Sequence, residues 1–188
     1  MKSIAIFLAA LAFSLSAQAQ ENFDLNATAE LCMSCHGADG IPIEPDYPVI
    51  RGQQYFYIFT QLRDYAAGRR QHEIMTGIAS EYDRDQAKEI AKYFADLSWP
   101  SVAAGEPREG DFALAQKAIT GGQCSACHGK WEGDSRIPRL AGQQAAYLER
   151  TMLDFKNEVR QNAPDKISTM KQLSDEAIAA LSRYLASL

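Results

Sequence analysis

Cys32-Met33-Ser34-Cys35-His36 governs the reading of this chain, and it returns as Cys124-Ser125-Ala126-Cys127-His128. A C-x-x-C-H run is the attachment signature of a c-type haem. The two thiols add across the two vinyl groups of the porphyrin, and the adjacent His36 or His128 supplies the proximal iron ligand. One helical turn puts both sulfurs and the imidazole on a single face. The two runs use all 4 cysteines and two of the 3 histidines of the chain.

Other uses of these residues fit less well. A four-thiolate zinc site is built from knuckles about 15–20 residues apart, whereas about ninety residues separate these pairs. A thioredoxin-type dithiol sits beside a βαβ pattern, which is missing here. Structural disulfides suit an exported protein but leave the paired histidines unexplained.

The N-terminus carries the export signal. Lys2 precedes the apolar stretch Ile4 to Leu15, and Ala17-Gln18-Ala19 fits a cleavage site, so residues 1–19 read as a signal peptide. The apolar stretch is too short to span a bilayer, and no later run approaches the roughly twenty residues required. A periplasmic mature chain starting near Gln20 follows. The full sequence has net charge −5, and losing Lys2 makes it more acidic. That argues against nucleic acid, which demands a basic footprint, and favours partners with a positive docking patch.

Beyond the motifs the chain repeats itself. Pro48-Val49-Ile50-Arg51-Gly52-Gln53-Gln54 answers Pro138-Arg139-Leu140-Ala141-Gly142-Gln143-Gln144, and Tyr57, Asp64 and Arg70 answer Tyr147, Asp154 and Arg160. Two copies, each with its own haem motif, predict duplicated domains over 20–99 and 111–188 joined by a linker at 100–110. Each unit reads as helices. Phe56, Phe59, Leu62 and Ala66 form a stripe over about 53–67. Asp83 and Gln86 make a capping box ahead of Ala87, Ile90, Ala91, Phe94 and Leu97. Ser174 caps the equivalent helix, with Ile178, Leu181, Tyr184 and Leu185 on its apolar face. The fold class is all-α, and units of about 80 residues are marginal for an unaided core, which a covalently held porphyrin would fill.

A second protein ligand distinguishes an electron carrier from an open iron, and Met is the usual one. Met1 leaves with the signal, Met33 lies within the first motif and Met152 sits on a core stripe. Met75 and Met170 remain, each between its unit's long helix and closing helix, where a loop can cross the distal face. His72 is the remaining histidine and an alternative first-haem ligand, but Asn162 matches it in the second repeat and a surface or propionate-side role fits better. Lys166 and Lys171 read as solvated.

Two C-x-x-C-H motifs, each followed by P-x-x-x-G-Q-Q, a tyrosine helix and a methionine, resemble the dihaem cytochrome c4 family over nearly the whole mature chain. The resemblance implies two class I cytochrome c domains about a pseudo-two-fold axis, with haem propionates facing one another across the interface. It also implies that the carbonyls of Pro48 and Pro138 accept a hydrogen bond from His36 and His128. The expected function is a periplasmic shuttle of single electrons. Its donor would be a quinol-oxidising complex or a flavoprotein dehydrogenase, its acceptor a terminal oxidase, with docking at the periplasmic face of the inner membrane. The chain departs from the family in an insertion around Ala163-Pro164-Asp165, which brings Met170 close to the Ser174 cap. Parts of the chain, Glu73-Ile74-Met75 and Tyr93-Phe94 among them, are also similar to the dihaem cytochrome subunit of flavocytochrome c sulfide dehydrogenase. The alternative function is therefore the electron-accepting subunit of such an enzyme.

Overall fold

The computed structural model describes residues 23–101 and 107–188. The expected signal peptide at 1–19 and much of the expected linker lie outside them. Nine helices and no strands occur among the described residues. The first unit holds α1 (Leu25–His36), α2 (Tyr55–Ala66), α3 (Met75–Ser80) and α4 (Arg84–Asp96). The second holds α5 (Asp111–Gly121), α6 (Ser125–His128), α7 (Ala145–Lys156), α8 (Pro164–Met170) and α9 (Asp175–Ala186). None is long and apolar enough to cross a membrane.

The caps behave as their residue types require. Asp83 accepts from the backbone N–H of Asp85 and Gln86, and the Gln86 side chain returns a bond to the Asp83 N–H, completing the capping box. Ser174 accepts from the Ala177 N–H at the start of α9. Asp24 caps α1 through the N–H groups of Asn26 and Ala27. In each unit the first and last long helices pack together, α1 on α4 and α5 on α9. Asp111 and Arg183 fasten the second of these crossings with two bonds of 2.7 Å each. The faces expected for α4 and α9 are buried: Ala87, Ile90, Ala91 and Phe94 in one, Ile178, Leu181 and Leu185 in the other. Leu97 and Tyr184 pack at their margins.

The stripe expected on α2 is only partly inward. Phe59 and Leu62 pack against the core, but Phe56 is exposed and the fully buried residues are Ile58, Asp64 and Tyr65. The other unit is the reason, because α2 turns Tyr57, Gln61 and Asp64 toward it.

The two units are held by reciprocal polar contacts. Gln143 Oε1 accepts from the Val49 N–H at 2.8 Å and its Nε2 donates to the Val49 carbonyl at 3.0 Å. Gln53 does the same to Arg139, at 2.7 and 3.1 Å. Arg70 donates to the Tyr147 hydroxyl, and Arg160 to that of Tyr57. Arg150 binds the Asp46 carboxylate and carbonyl, and Arg139 lies over the Trp99 ring, 4.8 Å from its centroid.

Candidate haem sites

In the first unit the motif forms the last turn of α1, so Cys32, Cys35 and His36 share one face at i, i+3 and i+4. Gly37 ends the helix at φ +85°, its N–H donating to the Met33 carbonyl at 2.9 Å. A Cβ there would lie 1.9 Å from the Ile41 carbonyl oxygen, so only glycine lets the chain double back. In the second unit α5 stops at Gly121, and the motif forms the separate one-turn α6. Gly121-Gly122 and Gln123, the last at φ +51°, supply the break.

All four cysteines are free thiols. Burial pushes Cys32 up to about 11 and raises Cys124 as well, so neither is poised as a thiolate. Among the described residues no three His, Cys, Asp or Glu side chains converge on a common point, and the two motifs do not form one shared thiolate site.

His36 is buried, and desolvation lowers its pKa, keeping the ring neutral. Its Nδ1 lies 2.8 Å from the Pro48 carbonyl. A carbonyl can only accept, so Nδ1 carries the proton and Nε2 keeps the lone pair. That is the tautomer an iron ligand requires. His128 is likewise held neutral by burial, with Lys166 acting in the same direction. Its ring lies against Trp131, but its buried Nδ1 has no hydrogen-bond partner. The Pro138 carbonyl lies near enough to raise the pKa of the ring but outside hydrogen-bonding geometry, so the expected bond is not formed as it is at His36. The hinge between α5 and α6 leaves this imidazole without the support of a continuous helix.

The two methionines lie at the ends of short helices, where loops were expected. Met75 is the first residue of α3 and is half-buried. Met170 is the last residue of α8 and is buried in the core of the second unit, at 8% exposure. The insertion at Ala163-Pro164-Asp165 starts α8, with Pro164 in the first turn, where its missing N–H costs nothing. A Cβ on Gly122 would meet both the Cys124 sulfur and the Thr169 methyl at 3.1 Å, so the end of α8 sits beside the second motif.

His72 has a role that its sequence position did not reveal. Its Nδ1 accepts from the N–H groups of Ile74 and Met75 at 3.3 and 3.4 Å, and its own N–H donates to Thr76 Oγ1. Partial burial, Arg150 and Arg70 lower its pKa and keep it an acceptor. It holds the turn that presents Met75. Lys166 and Lys171 pair with Asp165 and Glu158 on the surface.

Between the units lies a cleft of about 310 Å³, with Arg70, Arg150 and Arg160 in its wall. Arg70 and Arg160 are buried, and among the described residues neither makes an ion pair. Their donors reach Gln61, Asn162 and the two tyrosine hydroxyls instead. Burial would raise the pKa of Tyr147, but Arg70 and Arg160 outweigh it and draw the phenol down to about 7. Glu73 and Asp154 also line the cleft but pair with neither guanidinium, and two buried guanidiniums without an ion-pair partner are costly. They fit a group that brings its own carboxylates, as a haem does with its propionates.

Comparison with known proteins agrees. The family described as Cytochrome c matches residues 112–188. Cytochrome c4 of Pseudomonas aeruginosa is 35% identical over 174 residues, covering 86% of each chain. The chain belongs to the cytochrome c4 family. The crystal structure of reduced recombinant cytochrome c4 from Pseudomonas stutzeri superposes with a TM-score of 0.76 at 28% identity, covering 88% of this chain and 98% of that one. A thiosulfate dehydrogenase electron acceptor of Stutzerimonas stutzeri is 28% identical, over 96% of this chain and 92% of its own. As a cytochrome c4, the chain is a dihaem electron-transfer protein and not an enzyme. It carries two covalently bound haem c groups and works with redox-protein partners.

Proposed function

We propose that this cytochrome is a periplasmic shuttle whose first haem would be held by Cys32 and Cys35 through its porphyrin and by His36 and Met75 through its iron. The second would be held in the same way by Cys124 and Cys127 and by His128 and Met170. The observation that carries this reading is the His36 tautomer, with Nδ1–H given to Pro48 and the Nε2 lone pair free beside two unpaired thiols. When bound, haem supplies one-electron cycling of its iron between ferrous and ferric. Around it, the chain's task is to keep two ligands in place in both states, so that little rearranges as an electron passes. His72 and Pro48 fix the first pair, and burial in the core fixes Met170. Arg70 and Arg160, buried in the wall of the cleft between the units, would neutralise propionates brought there.

Export by the signal peptide at 1–19 places the chain on the periplasmic side, where it docks at the inner membrane. Its donor is a quinol-oxidising complex or a flavoprotein dehydrogenase, and its acceptor is a terminal oxidase. A second reading makes the donor a dehydrogenase that oxidises a sulfur compound, as in the flavocytochrome c alternative. It is favoured by the likeness to thiosulfate dehydrogenase electron acceptors along almost the entire chain.

Mass spectrometry of the exported protein tests the core of the proposal. A chain beginning near Gln20 with two haems attached is expected, and Cys124→Ser with Cys127→Ser should remove one. Two haems on that double variant would refute the attachment. Reduction by a purified thiosulfate dehydrogenase, faster than by a quinol-oxidising complex, would move the second reading ahead.

A further inference from the structure

The Pro48–Val49 peptide group is engaged at both ends. Its carbonyl accepts the His36 Nδ1–H at 2.8 Å, and its N–H donates to Gln143 Oε1 of the other domain, also at 2.8 Å. Hydrogen bonds at the two ends of one amide reinforce each other. A donor whose proton is drawn toward an acceptor leaves its carbonyl richer in electrons and a better acceptor itself. Gln143 is 3% exposed, and its Nε2 is tied to the Val49 carbonyl at 3.0 Å, so its oxygen cannot swing away. A stronger pull on Nδ1–H makes the imidazole a stronger donor through Nε2 and favours the ferric iron.

We propose that Gln143 is a positioning residue acting in trans: through the Pro48–Val49 peptide it tunes the histidine of the opposite domain and holds down the potential of the first haem. The inference rests on the reading of His36 as that iron's ligand. The pseudo-symmetric half is open. Gln53 Oε1 accepts from the Arg139 N–H at 2.7 Å, on the peptide that follows Pro138, but His128 Nδ1 has no partner. The relay is therefore complete toward the first domain, whereas toward the second the Pro138 carbonyl approaches His128 without a formed bond.

This asymmetry provides a matched control. Gln143→Met and Gln53→Met each delete two bonds between the domains and one to the next backbone N–H, so they loosen the interface alike. Potentials of the holoprotein would be measured with each haem followed through its own methyl resonances by NMR. The His36 ring N–H would be observed in the ferrous state.

In Gln143→Met the first haem's potential should rise and the His36 ring proton should move upfield and exchange faster, with neither change in Gln53→Met. Gln143→Glu keeps the acceptor and should return the potential to the parent value or below, which guards against a poorly folded methionine variant. No shift in Gln143→Met, or equal shifts of the first haem in both methionine variants, would overturn the relay. Failure of the ligation reading is a separate result, since a first haem that keeps its low-spin spectrum in His36→Ala would show that His36 is not the ligand. Failure of the relay alone leaves that dependence on His36 intact.

Discussion

Truncating Met170 and Met75 to alanine separates ligation from packing, because the fold buries the two differently. Met170 lies at 8% exposure in a cluster with Met152, Phe155 and Ile178, so Met170→Ala removes three heavy atoms from a packed core. The cost from packing alone is about 2–5 kcal/mol. Met75 is half-buried in the first turn of α3, outside the main cluster, and its truncation removes about 1 kcal/mol of packing. If both sulfurs bind iron, each variant also lowers the potential of its own haem and opens that iron to carbon monoxide. The assay pairs chemical denaturation, followed by far-ultraviolet circular dichroism, with the sulfur–iron charge-transfer band at the red edge of the visible spectrum. Each variant should retain half the band while differing severalfold in lost stability. A Met170→Ala protein that loses stability yet keeps the full band would show that this side chain is core filler alone.

Two further perturbations probe the scaffold. The paired bonds from Arg183 hold the Asp111 carboxyl down to about 2 against an ordinary 3.8. A depressed carboxylate stabilises the fold above its unfolded pKa and loses that contribution as pH falls through the folded value. The stability gap between the parent protein and Asp111→Asn should therefore be full above about pH 4 and close toward about pH 2, as acid denaturation can measure. A gap independent of pH would mean that the pair contributes nothing through charge. Gly37 and Gly129 follow the two motifs at equivalent positions, both at positive φ, but only at Gly37 does a Cβ strike backbone. Gly129, at φ +56° and ψ −120°, lies outside the left-handed helical region, and Gly129→Ala should cost about 1–3 kcal/mol for that backbone conformation. Gly37→Ala should cost more and reduce attachment of the first haem, read as haem per chain in the exported protein.

Much of this was legible because it is written locally. C-x-x-C-H spacing needs only one helical turn to act, so attachment of two haems followed from ten residues. The capping box at Asp83 and the cap at Ser174 depend on side chains three residues from their targets, and both form as read. Repetition of Pro-x-x-x-Gly-Gln-Gln announced the duplication. Less was legible where a residue's partner lies far along the chain. The α2 stripe was misplaced because periodicity reports which face is apolar and is silent about a second domain that claims the polar face. The two methionines were singled out by elimination as candidate ligands, but their places at opposite ends of short helices were not foreseen, because helices of six and seven residues have too few turns to leave a period. The hold of His72 on the Met75 turn was hidden because its bonds go to backbone N–H groups, which no side-chain pattern records.

The sequence by itself determined the cofactor and the class: covalent haem, helices and two copies of each, since these rest on residue types at short spacing. Only the tertiary structure decided how the copies differ. It made the His36–Pro48 bond and left His128 without its counterpart, buried Met170 while leaving Met75 half-open, and gathered Arg70 and Arg160 at the join without ion-pairing them. The physical reason is range. Spacing encodes what one turn of backbone can bring together, whereas hydrogen bonds between residues about ninety positions apart exist only after two domains have packed.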